Sequence, residues 1–287
     1  MVNNHSQQLQ SWITGVIRDL CAGPGNAMHG TFQEPAWDAP LVGFARGDDP
    51  LFVDYKVHVG PEHWTPAEAM ALAYPALEIE PAELAVISWV LPQTATTRAD
   101  SRAATVYPPE RWARSRMFGE AFNNELRAQV AEALRDAGFH AVSPMLLSEY
   151  RSVDSSRFLF SSVWSERHIA HACGLGTFGL CDGLITPVGK AMRLGSVIAQ
   201  LPVEPAVRPY TDHHAYCLHY ARGTCGVCIQ RCPVGALSEH GHDKRLCRAH
   251  LDATRPIVRD RYGFDGYACG LCQTGTPCEA GIPEELR

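Results

Sequence analysis

Eight of the eleven cysteines fall between residues 217 and 287, spaced as ligands for two four-thiolate iron-sulfur centres rather than as disulfide partners. The core of the pattern is Cys225-Gly-Val-Cys228-Ile-Gln-Arg-Cys232-Pro233, joined by Cys217 upstream and by Cys247, Cys269, Cys272 and Cys278 downstream. A thiolate-bound cube takes four ligands, so eight cysteines suit two cubes. Cys225-x2-Cys228 with Cys269-x2-Cys272 also fits a four-cysteine zinc module, but one zinc ion leaves four cysteines without a role. Disulfide frameworks belong to small secreted chains, and Met-Val-Asn-Asn-His offers neither a basic n-region nor an apolar h-region.

In a C-x2-C-x2-C-x3-C-P run, three cysteines serve one cluster and the fourth serves the other. Here the first spacing is stretched, with seven residues between Cys217 and Cys225, so a loop holding His219, Tyr220 and Arg222 must bulge out. The crossed rule assigns Cys217, Cys225, Cys228 and Cys278 to one 4Fe-4S cluster, and Cys232, Cys247, Cys269 and Cys272 to the other.

The chain has 287 residues, enough for a full-size core and a smaller appended module. No apolar run approaches the roughly 20 residues that span a bilayer. With no export signal evident, a cytoplasmic location without membrane attachment is expected. A net charge of −6 argues against a nucleic-acid surface as the main business. Three prolines within Leu201–Tyr210 mark a linker, which divides the chain into domains 1–205 and 206–287.

Upstream of the linker, helical and strand patterns alternate. Leu9, Trp12, Ile13, Val16, Ile17 and Leu20 recur at helical spacing before Gly23-Pro-Gly25, and Thr65-Pro-Ala-Glu68 is a capping box opening a second helix. Leu84-Ala-Val-Ile-Ser-Trp-Val-Leu91 is a continuous apolar run, as in a strand covered on both faces. Phe118, Phe122, Leu126, Val130 and Leu134 mark a long helix ending at Gly138, and a further apolar segment spans Ala141 to Leu147. The expected class for residues 1–205 is α/β.

Gly174, Gly176 and Gly179 match G-x-G-x-x-G, but a helix beginning at Ser165 precedes them and no acid follows at the required distance, unlike a dinucleotide site. Glycines there allow the backbone close to something large and flat. This loop, the Leu184-Ile-Thr186 strand, Gly195 and the trailing cysteines resemble the core of epoxyqueuosine reductases and the related reductive dehalogenases, over roughly Glu166 to Cys278. The resemblance implies a nitroreductase-like α+β domain that holds cobalamin, beside a bacterial ferredoxin-like domain with two 4Fe-4S clusters. Gly174, Gly176, Leu184, Thr186 and Gly195 would lie along the corrin, and single electrons would pass through the clusters to break a bond in the substrate. The family's catalytic aspartate position is Phe160 here, and Met117-Phe-Gly119 stands near the place of its Asp-Tyr-His signature. The chain is expected to be a short branch, lacking the helical-repeat extension that many epoxyqueuosine reductases use for transfer RNA and the export signal of respiratory dehalogenases.

Reductive cleavage needs a proton donor, and Tyr150 and Asp154 are the candidates nearest in sequence, each readable instead as a packed tyrosine and a turn aspartate. His168 and His171 share a helix face and are expected to meet solvent. Arg231, Lys244, Arg245 and Arg248 bracket the cluster ligands, either favouring reduced clusters and donor docking or forming a solvated face. Cys21, Cys173 and Cys181 are expected to pack as small apolar residues. Expected partners are an external single-electron donor such as ferredoxin or flavodoxin and a small-molecule substrate, with nucleic acid and membrane not expected. The other class compatible with the sequence is an electron-transfer protein without corrinoid or substrate, and a flavin in the first domain is a further alternative.

Overall fold

The computed structural model describes residues 4–155, 157–205 and 207–287. Residues 1–3, Ser156 and Ala206 lie outside the described residues, and with them the chain start read for a leader, the last residue of the Asp154-Ser-Ser156 segment and one residue of the linker. In chain order the elements are α1 (Asn4–Ala22), β1 (Leu41–Arg46), α2 (Leu51–His58), α3 (Pro66–Ala73), β2 (Leu84–Pro92), α4 (Ala95–Ala103), α5 (Glu110–Asp136) and β3 (Ala141–Val142). There follow β4 (Ser152–Ser155), β5 (Leu159–Ser162), α6 (Glu166–Ala172), β6 (Thr177–Phe178), β7 (Leu184–Ile185) and β8 (Met192–Gln200). The cysteine-rich remainder holds α7 (Leu218–Arg222), α8 (Val227–Gln230), β9 (Leu237–Ser238), β10 (Gly241–His242) and α9 (Lys244–Tyr262).

The apolar run around Trp89 is a strand buried at every position, and its two faces serve different cores. Ala85, Ile87, Trp89 and Leu91 pack with Ile13, Ile17 and Cys21 of α1 and with Phe122, Leu126, Val130 and Leu134 of α5. Leu84, Val86 and Val90 face Phe52 and Tyr55 of α2, Ala69 and Met70 of α3, and Ile169 and Ala172 of α6. Side chains alternate across a strand, so one apolar run can be shared by two helical layers.

The sheet order is β1-β2-β8-β3, and every neighbouring pair is antiparallel. The burial of β2 on both faces is as expected, and it arises here because helices lie on both sides of an antiparallel sheet. The fold is a mixed α and β one with antiparallel strands. Around Ala141 to Leu147 only two residues are strand, because Pro144 opens a short 3-10 turn. The capping box at Thr65 and Glu68 is present, and the long helix runs as expected to Asp136, with Gly138 in the left-handed region at φ +91°.

The cysteine-rich segment packs against the residues that precede it and shares two cores with them. Leu180, Cys181 and Ile185 form one core with Tyr216, Cys217, Cys228, Leu237 and Cys278, while Trp112, Ala113 and Ala191 form another with Val258 and Ala268. Arg231 stitches the two parts together, donating to the Ser101 carbonyl at 2.8 Å and the Thr274 carbonyl at 3.1 Å. Its main work is therefore structural, unlike the solvated or docking role open to it in the sequence. The stretched Cys217-to-Cys225 loop is α7, closed by Gly223 at φ +67°.

His63 is 1% exposed, accepts the Ser165 N–H at its Nε2 over 3.1 Å, and stacks on Trp164. Burial pushes its pKa from 6.5 down to about 4, so the folded ring is neutral. An unfolded histidine protonates near its ordinary value, so this contribution is intact above pH 6.5 and is lost as pH falls toward about 4. The full effect is on the order of 3 kcal/mol. Urea midpoints measured across that window should fall less steeply for His63→Gln than for the wild type; equal slopes would contradict the assignment.

Candidate functional site

Trp112, Arg116, Glu120 and Asn124 recur every four residues along α5, followed by Arg127, on the side of the helix away from Phe122, Leu126 and Val130. This spacing puts them on one face, and that face is one wall of a cavity of about 770 Å³. Met192, Arg193 and Leu194 at the start of β8 line it too, together with Tyr150, Phe160 and Ser162. The opposite wall comes from the cysteine-rich segment, through Lys244, Cys247, Arg248, His250 and Leu251 of α9 and through Tyr267.

A buried ionic network fixes the first wall. Arg127, 1% exposed, meets Glu120 at 3.1 Å and Glu166 at 3.2 Å, and donates to the Leu194 carbonyl at 2.8 Å. Arg193 meets the other Glu120 oxygen at 3.1 Å. Burial pushes the Glu120 carboxyl upward, but Arg193, Arg127 and Arg116 outweigh it and hold the pKa below the usual range. For Glu166 burial prevails over Arg127, and its pKa is raised. Arg116 donates to the Tyr267 hydroxyl at 2.8 Å, with its guanidinium 4.9 Å from that ring's centroid.

The lining carries seven arginine and lysine side chains, Arg116, Arg127, Arg167, Lys190, Arg193, Lys244 and Arg248, against three acids, Glu120, Glu166 and Asp182. A chain of net charge −6 thus concentrates positive charge in its main cavity. Among the described residues, three buried polar atoms of the lining, Gln93 Oε1, Glu166 Oε2 and His250 Nε2, have no hydrogen-bond partner. The two oxygens accept hydrogen bonds and are costly unless a donor meets them, so they suit an N–H- or O–H-bearing occupant, while the cationic lining suits negative charge.

The cysteines fall in two groups. Cys232, Cys247, Cys269 and Cys272 line the large cavity, and Cys181 lines it with them. Cys217, Cys225, Cys228 and Cys278 line a second, small cavity with Leu180, Ile185 and Lys190. Among the described residues no three His, Cys, Asp or Glu side chains converge closely enough to share one ion. A cubane holds its thiolates further apart than a single ion does, so the donor chemistry of each set fits a cluster.

Of the residues expected along a corrin, Leu184 lines the large cavity, while the other four meet protein. A Cβ on Gly195 would lie 2.5 Å from the Trp89 ring, and one on Gly176 would collide with the Ile185 carbonyl. Gly174 approaches Arg208 and Pro209, and Thr186 is buried with its hydroxyl donating to the Gly189 carbonyl at 2.7 Å. Tyr150 lines the cavity and burial raises its phenol pKa, whereas Asp154 is exposed on β4, paired across the hairpin with Phe160. His168 and His171 do not face solvent as expected: His168 sits against Tyr55 and Phe178, and His171 stacks on Tyr210, so the helix turns its histidines inward. The α5 stripe is visible in the sequence only as a four-residue period of largely polar residues, which a solvated helix face would show equally.

Replacing Arg127 with Met should destabilise the fold by about 3–5 kcal/mol, since it leaves Glu120 and Glu166 buried without their common partner. Adding Glu166→Gln should recover part of that loss in chemical denaturation. Additive losses would contradict the coupling.

No family model matches the chain. An epoxyqueuosine reductase of Bacillus anthracis is 30% identical over 143 residues, 48% of this chain but 35% of that protein, so the match spans about a third of the relative's length. In fold the chain is similar to a solved epoxyqueuosine reductase with a tRNA-Tyr epoxyqueuosine-modified stem loop, with a TM-score of 0.52 and 17% identity over 98% of this chain and 68% of that one. It is also similar to a reductive dehalogenase structure tied to B12-dependent dehalogenation, with a TM-score of 0.53 and 16% identity over all of this chain and 39% of that one. The stem-loop complex overturns the expectation of a small-molecule substrate with nucleic acid excluded: net charge averages over the surface and hides a cationic cavity. The resemblance read from the glycine loop and the cysteines is borne out, and the chain is a relative of epoxyqueuosine reductases in sequence and like both they and reductive dehalogenases in fold.

Proposed function

We propose that this chain is an iron-sulfur reductase that removes oxygen from an epoxide-bearing nucleoside carried on transfer RNA. The observation that carries the reading is that Cys232, Cys247, Cys269 and Cys272 line the same large cavity as the cationic, tyrosine-bearing wall. An electron carrier with no substrate needs no such space.

In this reading Cys217, Cys225, Cys228 and Cys278 hold one 4Fe-4S cluster and Cys232, Cys247, Cys269 and Cys272 hold the other. An external one-electron donor such as ferredoxin or flavodoxin reduces them. A corrinoid would occupy the large cavity beside Leu184, Met192 and Leu194, with Gln93, Glu166 and His250 available to its amide rim, and would supply a strongly reducing metal centre. The chain's own residues bind and protonate. Arg116, Arg193, Lys244 and Arg248 offer positive charge to a phosphate of the substrate. Removing an epoxide oxygen as water takes two electrons and two protons. Phe160 cannot supply a proton, and Tyr150, a neutral phenol in the same wall, supplies one while solvent supplies the other.

The test is protein purified anaerobically with corrinoid available, then challenged with an epoxyqueuosine-modified anticodon stem loop and a chemical reductant. About eight irons per chain, bound cobalt and loss of the epoxide are expected. Tyr150→Phe should lower kcat by about 10²-fold or more with little change in RNA affinity, and that affinity should fall steeply with salt. Iron without cobalt or turnover would replace the reductase with an electron carrier.

A further inference from the structure

Lys190 is 3% exposed, and none of the ion pairs found among the described residues involves it. Its ammonium lies 3.6 Å from the sulfur of Cys181. The same side chain lines both the small cavity of Cys217, Cys225, Cys228 and Cys278 and the large cavity of Cys232, Cys247, Cys269 and Cys272. It therefore stands between the two sets of four.

The position is built in rather than adopted by a mobile chain. Thr186 closes the turn before it by donating to the Gly189 carbonyl at 2.7 Å and accepting the Val188 N–H at 3.2 Å. Gly189, at φ +90°, lets the turn lie directly on the Glu279–Ala280 backbone, and the Lys190 N–H donates to the Cys278 carbonyl at 3.0 Å. The chain thus ties the lysine's backbone to a residue of one cysteine set and directs its charge toward both.

A buried ammonium without a carboxylate costs several kcal/mol unless another anion faces it. Four thiolates around a 4Fe-4S core leave a net negative cluster, and reduction adds one more negative charge. A nearby fixed cation favours the more negative state.

We propose that Lys190 is a positive charge shared by the two clusters, which raises the reduction potential of both. It is a positioning residue for the electron, not a ligand. The inference rests on the assignment of the eight cysteines to two clusters.

The experiment is a redox titration followed by electron paramagnetic resonance on the anaerobic holoprotein, comparing the wild type with Lys190→Met, Lys190→Arg and Cys181→Ala. Lys190→Met should make both clusters about tenfold harder to reduce, a downward shift of about 59 mV for a one-electron couple. Lys190→Arg should hold both potentials near the wild type. Unchanged potentials in Lys190→Met, a shift confined to one cluster, or an equal shift in Lys190→Arg would overturn the proposal. So would Cys181→Ala reproducing the Lys190→Met shift, because the charge would then act only through that thiol. Should Lys190→Met fail to retain iron, retention by Lys190→Arg supports charge compensation, and loss from both variants assigns the lysine to packing and overturns it. A wild type that binds no iron after reconstitution would instead refute the cluster assignment on which the inference rests.

Discussion

Arg127 is the constraint on which the rest of the site depends. Its guanidinium ties α5 to α6 through Glu166, and α5 to β8 through the Leu194 carbonyl, all within the buried wall. Removing charges from water is expensive, and only a pairing as complete as this one makes the cost tolerable. The network also sets the sign of the site. Arginines hold Glu120 below the usual carboxylate range while burial raises Glu166, and with seven cations to three acids in the lining these carboxylates only partly offset its positive charge.

Much of the fold was legible where local chemistry is unambiguous. The capping box at Thr65, the α5 helix and the strand through Trp89 all follow from short-range signals that tertiary packing reinforced. Strand direction was not legible, because burial on both faces is equally satisfied by parallel and antiparallel neighbours when helices cover each side. Nor did His168 and His171 announce their burial: polar residues three apart on a helix read as a wet face, and only the approach of Tyr55, Phe178 and Tyr210 makes it a dry one.

The site divided in the same way. The cysteines stand out in the sequence through the short Cys225–Cys228–Cys232 and Cys269–Cys272 spacings, and the two groups of four line two cavities. The glycines misled, because a missing Cβ indicates close approach without naming what approaches. At Gly195 it is the Trp89 ring, whose Nε1–H reaches Asn123 at 3.0 Å, and at Gly176 it is the Ile185 backbone. The cationic lining was invisible to net charge, as its members come from α5, β8, α9 and the loops between, and only folding collects them.

The position of β8 has a consequence for how such a chain is made. This strand is the last of the four to be synthesised, yet it lies between β2 and β3 and pairs with both. Until residues 192–200 have left the ribosome, β2 has an apolar, unpaired edge and β3 has no sheet to join. The nascent chain must carry that edge through about a hundred residues of further synthesis, a period in which sticky strand edges invite wrong partners. The same strand delivers Arg193 and Leu194 to the cavity, so that wall waits on completion of the sheet, and the facing wall of α9 and Tyr267 is made later still.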